Sequence, residues 1–252
     1  MTMSGHDDLN FGFTPGDVLL VSGAGSGIGR AVALRAAQVG LAVSAWDLNE
    51  RTVGETVSAI SDSGGTAIAV TADVSDNAAV ERGFAATTRN LGPIRYLVNN
   101  AGPSSAVEMP FDDGLLAGVG SVRRMTETWL AGEVPDGAAV VNVASVAGNF
   151  LGTESPWYCA TKAAVSGYTR YLATYRTGQV RSNAVAPGMV DTPRLAGFAA
   201  SEVGKRSLQR NPLQRMATGD DIAYATLFLL SPLASYINGV VLPVDGGWLV
   251  AQ

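Results

Sequence analysis

The sequence is poor in the residues that most often carry enzyme chemistry. Its 252 residues include a single cysteine, Cys159, and a single histidine, His6. A lone thiol excludes an internal disulfide, and the two residues together are too few for a Cys/His zinc site. His6 falls in the polar stretch Met1–Asn10, which argues strongly against a Ser-His-Asp hydrolase. Charge is scarce as well. Asp, Glu, Lys and Arg make up 15% of the chain, where an average soluble domain has about a quarter. With 47% hydrophobic residues, the chain can bury a large core and does not have the composition of a disordered one. A net charge of −5 speaks against general nucleic-acid binding. Long apolar runs are missing: stretches such as Ala223–Leu230 are too short to span a bilayer. Asp7 and Asp8 stand where a secretory leader needs basic and then apolar residues. With the lone thiol, that makes the cytoplasm the default expectation. Whatever chemistry occurs here must run without histidine.

What is present is alternation. Short apolar runs occur at Val18–Val21, Leu41–Trp46, Ala67–Thr71, Tyr96–Val98, Ala138–Val143, Ser182–Val185 and Val240–Val244. Helical patterns fill most of the gaps, near 27–39, 49–62, 76–90, 157–177 and 220–230. Strand alternating with helix predicts an α/β fold: a doubly wound, seven-stranded parallel sheet with helices on both faces. Continuous apolar runs such as Val18–Val21 fit strands buried on both sides. Residues 1–10 are expected to be a disordered tail, and 11–252 a single domain. The segment 103–135 is harder to read, because Gly114, Gly118, Gly120 and Gly132 each cost a helix about 1 kcal/mol against alanine. A helix is still expected near 113–131.

The first strand runs into Ser22-Gly23-Ala24-Gly25-Ser26-Gly27-Ile28-Gly29, and a helical pattern follows. Glycines in a strand-to-helix turn let the backbone approach a pyrophosphate, whose charge meets the N–H groups at the helix start. No Gly-Lys-Ser/Thr follows, so a triphosphate P-loop is not supported. Asp47 closes the second strand. A carboxylate there can accept both ribose hydroxyls of an adenosine and repels a 2′-phosphate. No Lys or Arg lies between Ser22 and Ile28, or beside Asp47 before Arg51, to welcome that phosphate. NAD is therefore expected rather than NADP. Asp73 and Val74, after the third strand, are candidates for the adenine edge; Asp73 could equally cap the next helix.

Tyr158 and Lys162 are four residues apart, so a helix presents them on one face. A free tyrosine, with a pKa of about 10, is mostly protonated at neutral pH, and a nearby ammonium favours its phenolate. The pair can act as a general acid/base where no histidine is at hand. In order and spacing, Gly23–Gly29, Asp47, Asn99–Gly102, Ser145, Tyr158, Lys162, Pro187-Gly188 and Asp245-Gly246-Gly247 resemble the short-chain dehydrogenase/reductase family. The resemblance covers about residues 14–250 and rests on the joint agreement of these motifs.

That resemblance implies a Rossmann-type, NAD-linked oxidoreductase interconverting a secondary alcohol and a ketone by hydride transfer. It implies that Tyr158 exchanges a proton with the substrate oxygen, that Ser145 holds the same oxygen, and that Lys162 lowers the tyrosine pKa and binds the nicotinamide ribose. Gly23, Ser26, Gly27, Ile28 and Gly29 would cradle the pyrophosphate, and Asn100, Ala101 and Gly102 would line the cofactor cleft. Pro187, Gly188, Val190 and Thr192 resemble the segment that closes over the nicotinamide. A homotetramer or dimer is implied as well. No metal, membrane or nucleic acid is expected.

One departure from the family pattern stands out. Many members carry an asparagine in the helix after the Asn99–Gly102 motif, where it bends the helix and anchors a water next to the lysine. Between Pro103 and Val141 this sequence has no asparagine, and Gly118 falls at that place. The departure keeps open a non-catalytic NAD-binding sensor of the same fold. Met189–Arg215 is expected to form a substrate lid; its five cations, Arg194, Lys205, Arg206, Arg210 and Arg215, leave a 3-oxoacyl-thioester reductase as a further alternative. Phe150, Leu151, Trp157, Met189 and Leu195 are the expected pocket walls. Cys159 reads as a buried small residue rather than a nucleophile.

Overall fold

The computed structural model describes residues 10–251. Of the tail expected at 1–10, only Asn10 lies among the described residues. Seven parallel strands form one sheet in the order β3-β2-β1-β4-β5-β6-β7. They are β1 (Val18–Ser22), β2 (Ala42–Asp47), β3 (Ala67–Thr71), β4 (Ile94–Asn99), β5 (Ala139–Val143), β6 (Arg181–Pro187) and β7 (Val241–Val244). Each matches an apolar run of the sequence. The central strands are covered on both faces: every residue of β1 and β5 is buried. Strand order reverses between β1 and β4, which opens a crevice at their carboxyl ends, where ligands of such sheets bind.

The helices are α1 (Gly27–Gln38), α2 (Glu50–Asp62), α3 (Asn77–Leu91), α4 (Phe111–Leu115), α5 (Ser121–Leu130), α6 (Pro156–Tyr175), α7 (Glu202–Arg210) and α8 (Gly219–Leu230). Local chemistry sets several starts. Asn49 caps α2 by accepting from the Thr52 N–H, and Asp76 caps α3 by accepting from Ala78 and Ala79. Thr218 and Asp221 form a reciprocal capping box on α8. Neither Asp47 nor Asp73 is the capping residue of the helix that follows it.

The helix expected near 113–131 is present but not uniform. Between α4 and α5 the chain makes a π-helical turn, Leu116–Gly120, a known cause of bending in a helix. Its glycines allow close approach to α6. A Cβ on Gly114 would lie 2.7 Å from the Trp157 ring, and one on Gly118 would lie 2.2 Å from Thr161 Cγ2. Thr161 Oγ1 donates to the Gly114 carbonyl at 3.1 Å, binding the two helices together. An asparagine side chain has no room at position 118. The missing residue and the tight helix pair are one feature.

Candidate active site

The glycine-rich turn is held by its neighbours before any ligand is considered. Ser22 Oγ accepts from the N–H groups of Asn100 and Ala101, both at 3.1 Å. Asn100 Nδ2 donates to the carbonyls of Ser22 and Gly23, at 3.0 and 3.1 Å. The end of β4 thereby fixes the start of the turn. Gly23 has φ +68°, a region open mainly to glycine. A Cβ on Gly25 would lie 2.3 Å from Thr52 Oγ1 and 2.9 Å from Asp47 Oδ2, and one on Gly29 would lie 2.0 Å from the Gly23 carbonyl. Only bare backbone fits here, so N–H groups at the start of α1 face the cleft and can receive a phosphate.

Asp47 ends β2 beside this turn. Its Oδ2 accepts from the Gly25 N–H at 2.9 Å and its Oδ1 from the Asn49 N–H at 3.0 Å. Arg51, the first cation after it in sequence, pairs instead with Glu55 at 2.5 Å.

A cleft of about 260 Å³ runs along the carboxyl ends of the central strands. Gly23, Ser26, Gly27, Ile28, Asp47 and Asn100 line one part of it, and Ser145, Tyr158, Lys162, Pro187, Gly188, Val190 and Thr192 the other. A neighbouring recess holds Asp73 and Val74 with Ala101 and Gly102 beside Asp47. Gly29 is buried behind the turn and lines neither space. Asp73 Oδ1 accepts from both the N–H and the hydroxyl of Ser75, at 2.8 and 2.7 Å, so its carboxylate braces its own turn.

The catalytic candidates come from two elements. Ser145 follows β5, while Tyr158 and Lys162 project from the first half of α6. Lys162 Nζ donates to the Val143 carbonyl at 2.8 Å and lies 5.6 Å from the centre of the Tyr158 ring. Ser145 is buried, and its Oγ accepts from the Ala147 N–H at 3.1 Å, leaving the hydroxyl a proton to donate. The turn between the two elements is docked tightly. Gly148 has φ +79°, and a Cβ there would lie 2.1 Å from the Cys159 carbonyl. Asn149 Nδ2 donates to the carbonyls of Ser145 and Lys162, at 2.8 and 3.2 Å.

The sequence model of the family described as Enoyl-(Acyl carrier protein) reductase matches residues 23–249. A cis-4-hydroxycyclohexanecarboxylate dehydrogenase of Sinomonas cyclohexanicum is 36% identical over 247 residues, covering 92% of this chain and 96% of that protein. The chain is a short-chain dehydrogenase/reductase. Two solved members of the family have the same fold. A 7α-hydroxysteroid dehydrogenase complexed with NADH and 7-oxo glycochenodeoxycholic acid superposes with a TM-score of 0.88, at 29% identity over 94% of this chain and 96% of that one. A short-chain dehydrogenase of Burkholderia cenocepacia J2315 in complex with NADP gives 0.83, at 29% identity over 93% and 98%.

The pocket walls of this short-chain dehydrogenase/reductase differ from the sequence expectation. Of the five apolar residues expected, Leu195 alone lines the main cleft. Phe150 is about half exposed, Met189 is buried beside Asp245, and Trp157 packs face-on against Gly114. Leu151 pairs in a bridge with Ala147 and takes no part in the cleft. The wall is instead completed by Ser104, Ser105, Val143, Ala144 and Pro193. Ser104 and Ser105 lie in a turn just past the Asn99–Gly102 motif and belong to no motif themselves, so no sequence signal marked them. Two of the five lid cations are committed: Lys205 pairs with Glu202 at 2.9 Å and Arg215 with Asp221 at 2.7 Å. Cys159 is part-exposed rather than buried, and its sulfur accepts from the Thr153 N–H at 3.2 Å.

Proposed function

We propose that this protein is an NAD(H)-dependent oxidoreductase interconverting a ring-borne secondary alcohol and the corresponding ketone. The reading is carried by one observation: Ser145, Tyr158 and Lys162 line the same cleft as the glycine turn and Asp47. The bound nicotinamide supplies the hydride acceptor or donor. Every other role falls to the chain. The Tyr158 oxygen takes the proton of the alcohol in oxidation and returns it in reduction. The positive charge of Lys162 favours the phenolate, each pKa unit of lowering representing about 1.4 kcal/mol. Ser145 holds the substrate oxygen by hydrogen bond. The apolar Val143, Ala144, Pro187 and Leu195 exclude water from the reacting carbon.

NAD rather than NADP follows from Asp47, whose carboxylate would face a 2′-phosphate with no cation between Ser22 and Ile28 to offset the repulsion. The solved relatives include one complexed with NADH and one with NADP, so the preference rests on this chain's own residues. The ring-borne substrate is supported by the relatives' own names, a hydroxycyclohexanecarboxylate dehydrogenase and a hydroxysteroid dehydrogenase. A thioester substrate is disfavoured, because Lys205 and Arg215 are already paired within the lid. Among the described residues, no helix is long and apolar enough to cross a membrane. A homo-oligomer built on α4 and α6 is consistent with the exposed Phe111, Leu116, Tyr171 and Tyr175 in or next to those helices; light scattering on the purified protein tests it.

The deciding experiment follows absorbance at the NADH band across a panel of cyclic and acyclic secondary alcohols. Turnover of cyclic alcohols with NAD is expected. NAD binding without turnover of any of them would instead favour the sensor of the same fold. Replacing Tyr158 by Phe should lower kcat by roughly 10²–10⁴-fold with cofactor affinity unchanged, and a retained rate would overturn the assigned acid/base.

A further inference from the structure

The Asp245-Gly246-Gly247 turn that follows β7 touches both the floor of the cleft and the foot of the lid. A Cβ on Gly188, which lines the cleft, would lie 2.9 Å from Asp245 Cα, and the Gly188 N–H donates to the Val244 carbonyl at 3.0 Å. The Asp245 carboxylate keeps the turn in shape, accepting from the Gly247 and Leu249 N–H groups at 3.0 and 2.9 Å. The same turn receives Asn211, the residue that ends α7.

Asn211 is polar and only 3% exposed. Its Nδ2 donates to the Asp245 carbonyl at 2.8 Å, and its Oδ1 accepts from the Leu213 N–H at 2.9 Å. A carbonyl on one side and an N–H on the other fix the amide; a flipped one would meet both with the wrong atom. Gly246, with φ +67°, leaves the space, since a Cβ there would lie 2.7 Å from Asn211 Oδ1. The Asn211 carbonyl takes the Gln214 N–H at 2.9 Å, and Gln214 has φ +52°, a region that side chains disfavour. Such a backbone persists where its surroundings over-determine it. The foot of the lid is a built joint.

The other joint is the base of the lid, where Val190 bridges to Ala217. There the Asp191 N–H donates to the Ala217 carbonyl at 2.8 Å and the Ala217 N–H to the Met189 carbonyl at 2.9 Å. Between these joints the turn Phe198–Ala200 and α7 pack on each other. A Cβ on Gly204 would lie 1.8 Å from the Phe198 carbonyl. Ser201 donates to that carbonyl at 2.7 Å and caps α7 by accepting from the Gly204 N–H at 3.0 Å. Most of α7 is exposed.

We propose that Asn211 is a positioning residue for the substrate: by clamping the end of α7 to the Asp245 carbonyl, it sets where the lid residues Pro193 and Leu195 stand over the cleft. Pro193 and Leu195 line the cleft together with Gly188 and Tyr158. The Asp245 main chain thus supports the cleft floor through Gly188 and the lid through Asn211. Without the clamp, α7 and its turn are held by the Val190–Ala217 bridge, and the apolar wall over the substrate loosens. Ser145, Tyr158 and Lys162 stand after β5 and on α6, outside the lid, and keep their places. This inference rests on the dehydrogenase reading of the cleft.

Asn211→Asp tests the clamp alone. Its carboxylate repels the Asp245 carbonyl, while one oxygen still accepts from Leu213. At about pH 8, KM for the alcohol should rise roughly tenfold. Both kcat and NADH affinity by fluorescence titration should stay close to wild type. Asp221, Arg215 and Asp245 share the recess with position 211, and Arg210 adjoins it in sequence. Arg215 is paired with Asp221, so burial and the like charge of Asp245 both favour the neutral form of the new carboxyl. A protonated carboxyl donates to the Asp245 carbonyl again. The ratio of variant to wild-type KM should therefore fall toward one between about pH 8 and about pH 5. An unchanged KM, or a raised ratio that does not move with pH, overturns the proposal. Hydrogen exchange on the wild type covers a variant that fails to fold. The Leu213 N–H should exchange far more slowly than those of α7, and equal rates overturn the clamp. If the wild type turns over no secondary alcohol, the dehydrogenase reading fails, and exchange at Leu213 alone upholds or overturns the clamp.

Discussion

Asn149 donates its side-chain amide to the main-chain carbonyl of Ser145 at 2.8 Å. The same nitrogen reaches the Lys162 carbonyl at 3.2 Å, so one side chain ties together the two segments that carry the candidate catalytic residues. Asn149→Ala removes both bonds and leaves the packing of Gly148 and the Thr153–Cys159 contact to dock the turn on α6. We expect kcat to fall roughly tenfold or more, because small misplacements of reacting groups are expensive. Thermal unfolding should show about 1–2 kcal/mol of lost stability. Steady-state kinetics on the folded variant checks the point, and a wild-type kcat would mean that the remaining contacts suffice.

Gly118 and Thr161 make a steric prediction. A methyl at position 118 would lie 2.2 Å from Thr161 Cγ2, and overpacking of this kind costs about 1–3 kcal/mol. Gly118→Ala should therefore unfold at lower denaturant. Thr161→Ser removes Cγ2 and keeps the hydroxyl that bonds the Gly114 carbonyl. The double variant should recover most of the loss, and a double-mutant cycle with no coupling would exclude this contact as the cause.

Asp47 carries the proposed cofactor preference. Asp47→Ala removes the carboxylate that would repel a 2′-phosphate, and also the acceptor for the Gly25 N–H. Affinity for NADH should drop, and the ratio of NADPH to NADH affinity should rise by roughly tenfold, equivalent to about 1.4 kcal/mol. Fluorescence titration with both cofactors reads this directly. A wild type that already binds NADPH more tightly would overturn the assignment.

Asp221 gives a pH signature. Hydrogen bonds from Arg215 hold its carboxyl at about 2, below the ordinary 3.8, with further support from Thr218. A depressed value in the folded state means the stabilisation is complete above about pH 4 and is lost as pH falls through about 2. The two side chains are 34% and 52% exposed, so solvent screening keeps the contribution of the ion pair small. Asp221→Ala should melt below the wild type at neutral pH, and the two melting temperatures should converge between pH 4 and pH 2. A gap that stays constant over that range would place the stabilisation elsewhere.

The features that the sequence conveyed are those encoded locally. Seven apolar runs became seven parallel strands, and the central ones, such as β1 and β5, are buried on both faces by helices. The Gly23–Gly29 turn was legible because its glycines serve backbone geometry within a few residues. Tyr158 and Lys162 share a face because a helix repeats every 3.6 residues. The pocket walls were less legible. Trp157 is apolar and adjacent to Tyr158, yet its ring covers Gly114, because Gly114 has no side chain to keep it away.

Composition alone required chemistry without histidine, and the order of short motifs named the family. Neither could show that Gly114 and Gly118, which cost a helix stability, let α4 and the π-helical turn pack directly against the Trp157 and Thr161 side chains of α6. Nor could they show the chain from Thr169 through Asn142 to Asn99, or the bridge of Asn149 between Ser145 and Lys162. Apart from the Asn149–Ser145 bond, these contacts join residues 13 to 47 positions apart. Only the folded packing of sheet against helix brings such groups within hydrogen-bonding distance, and it alone decided how the lysine is held.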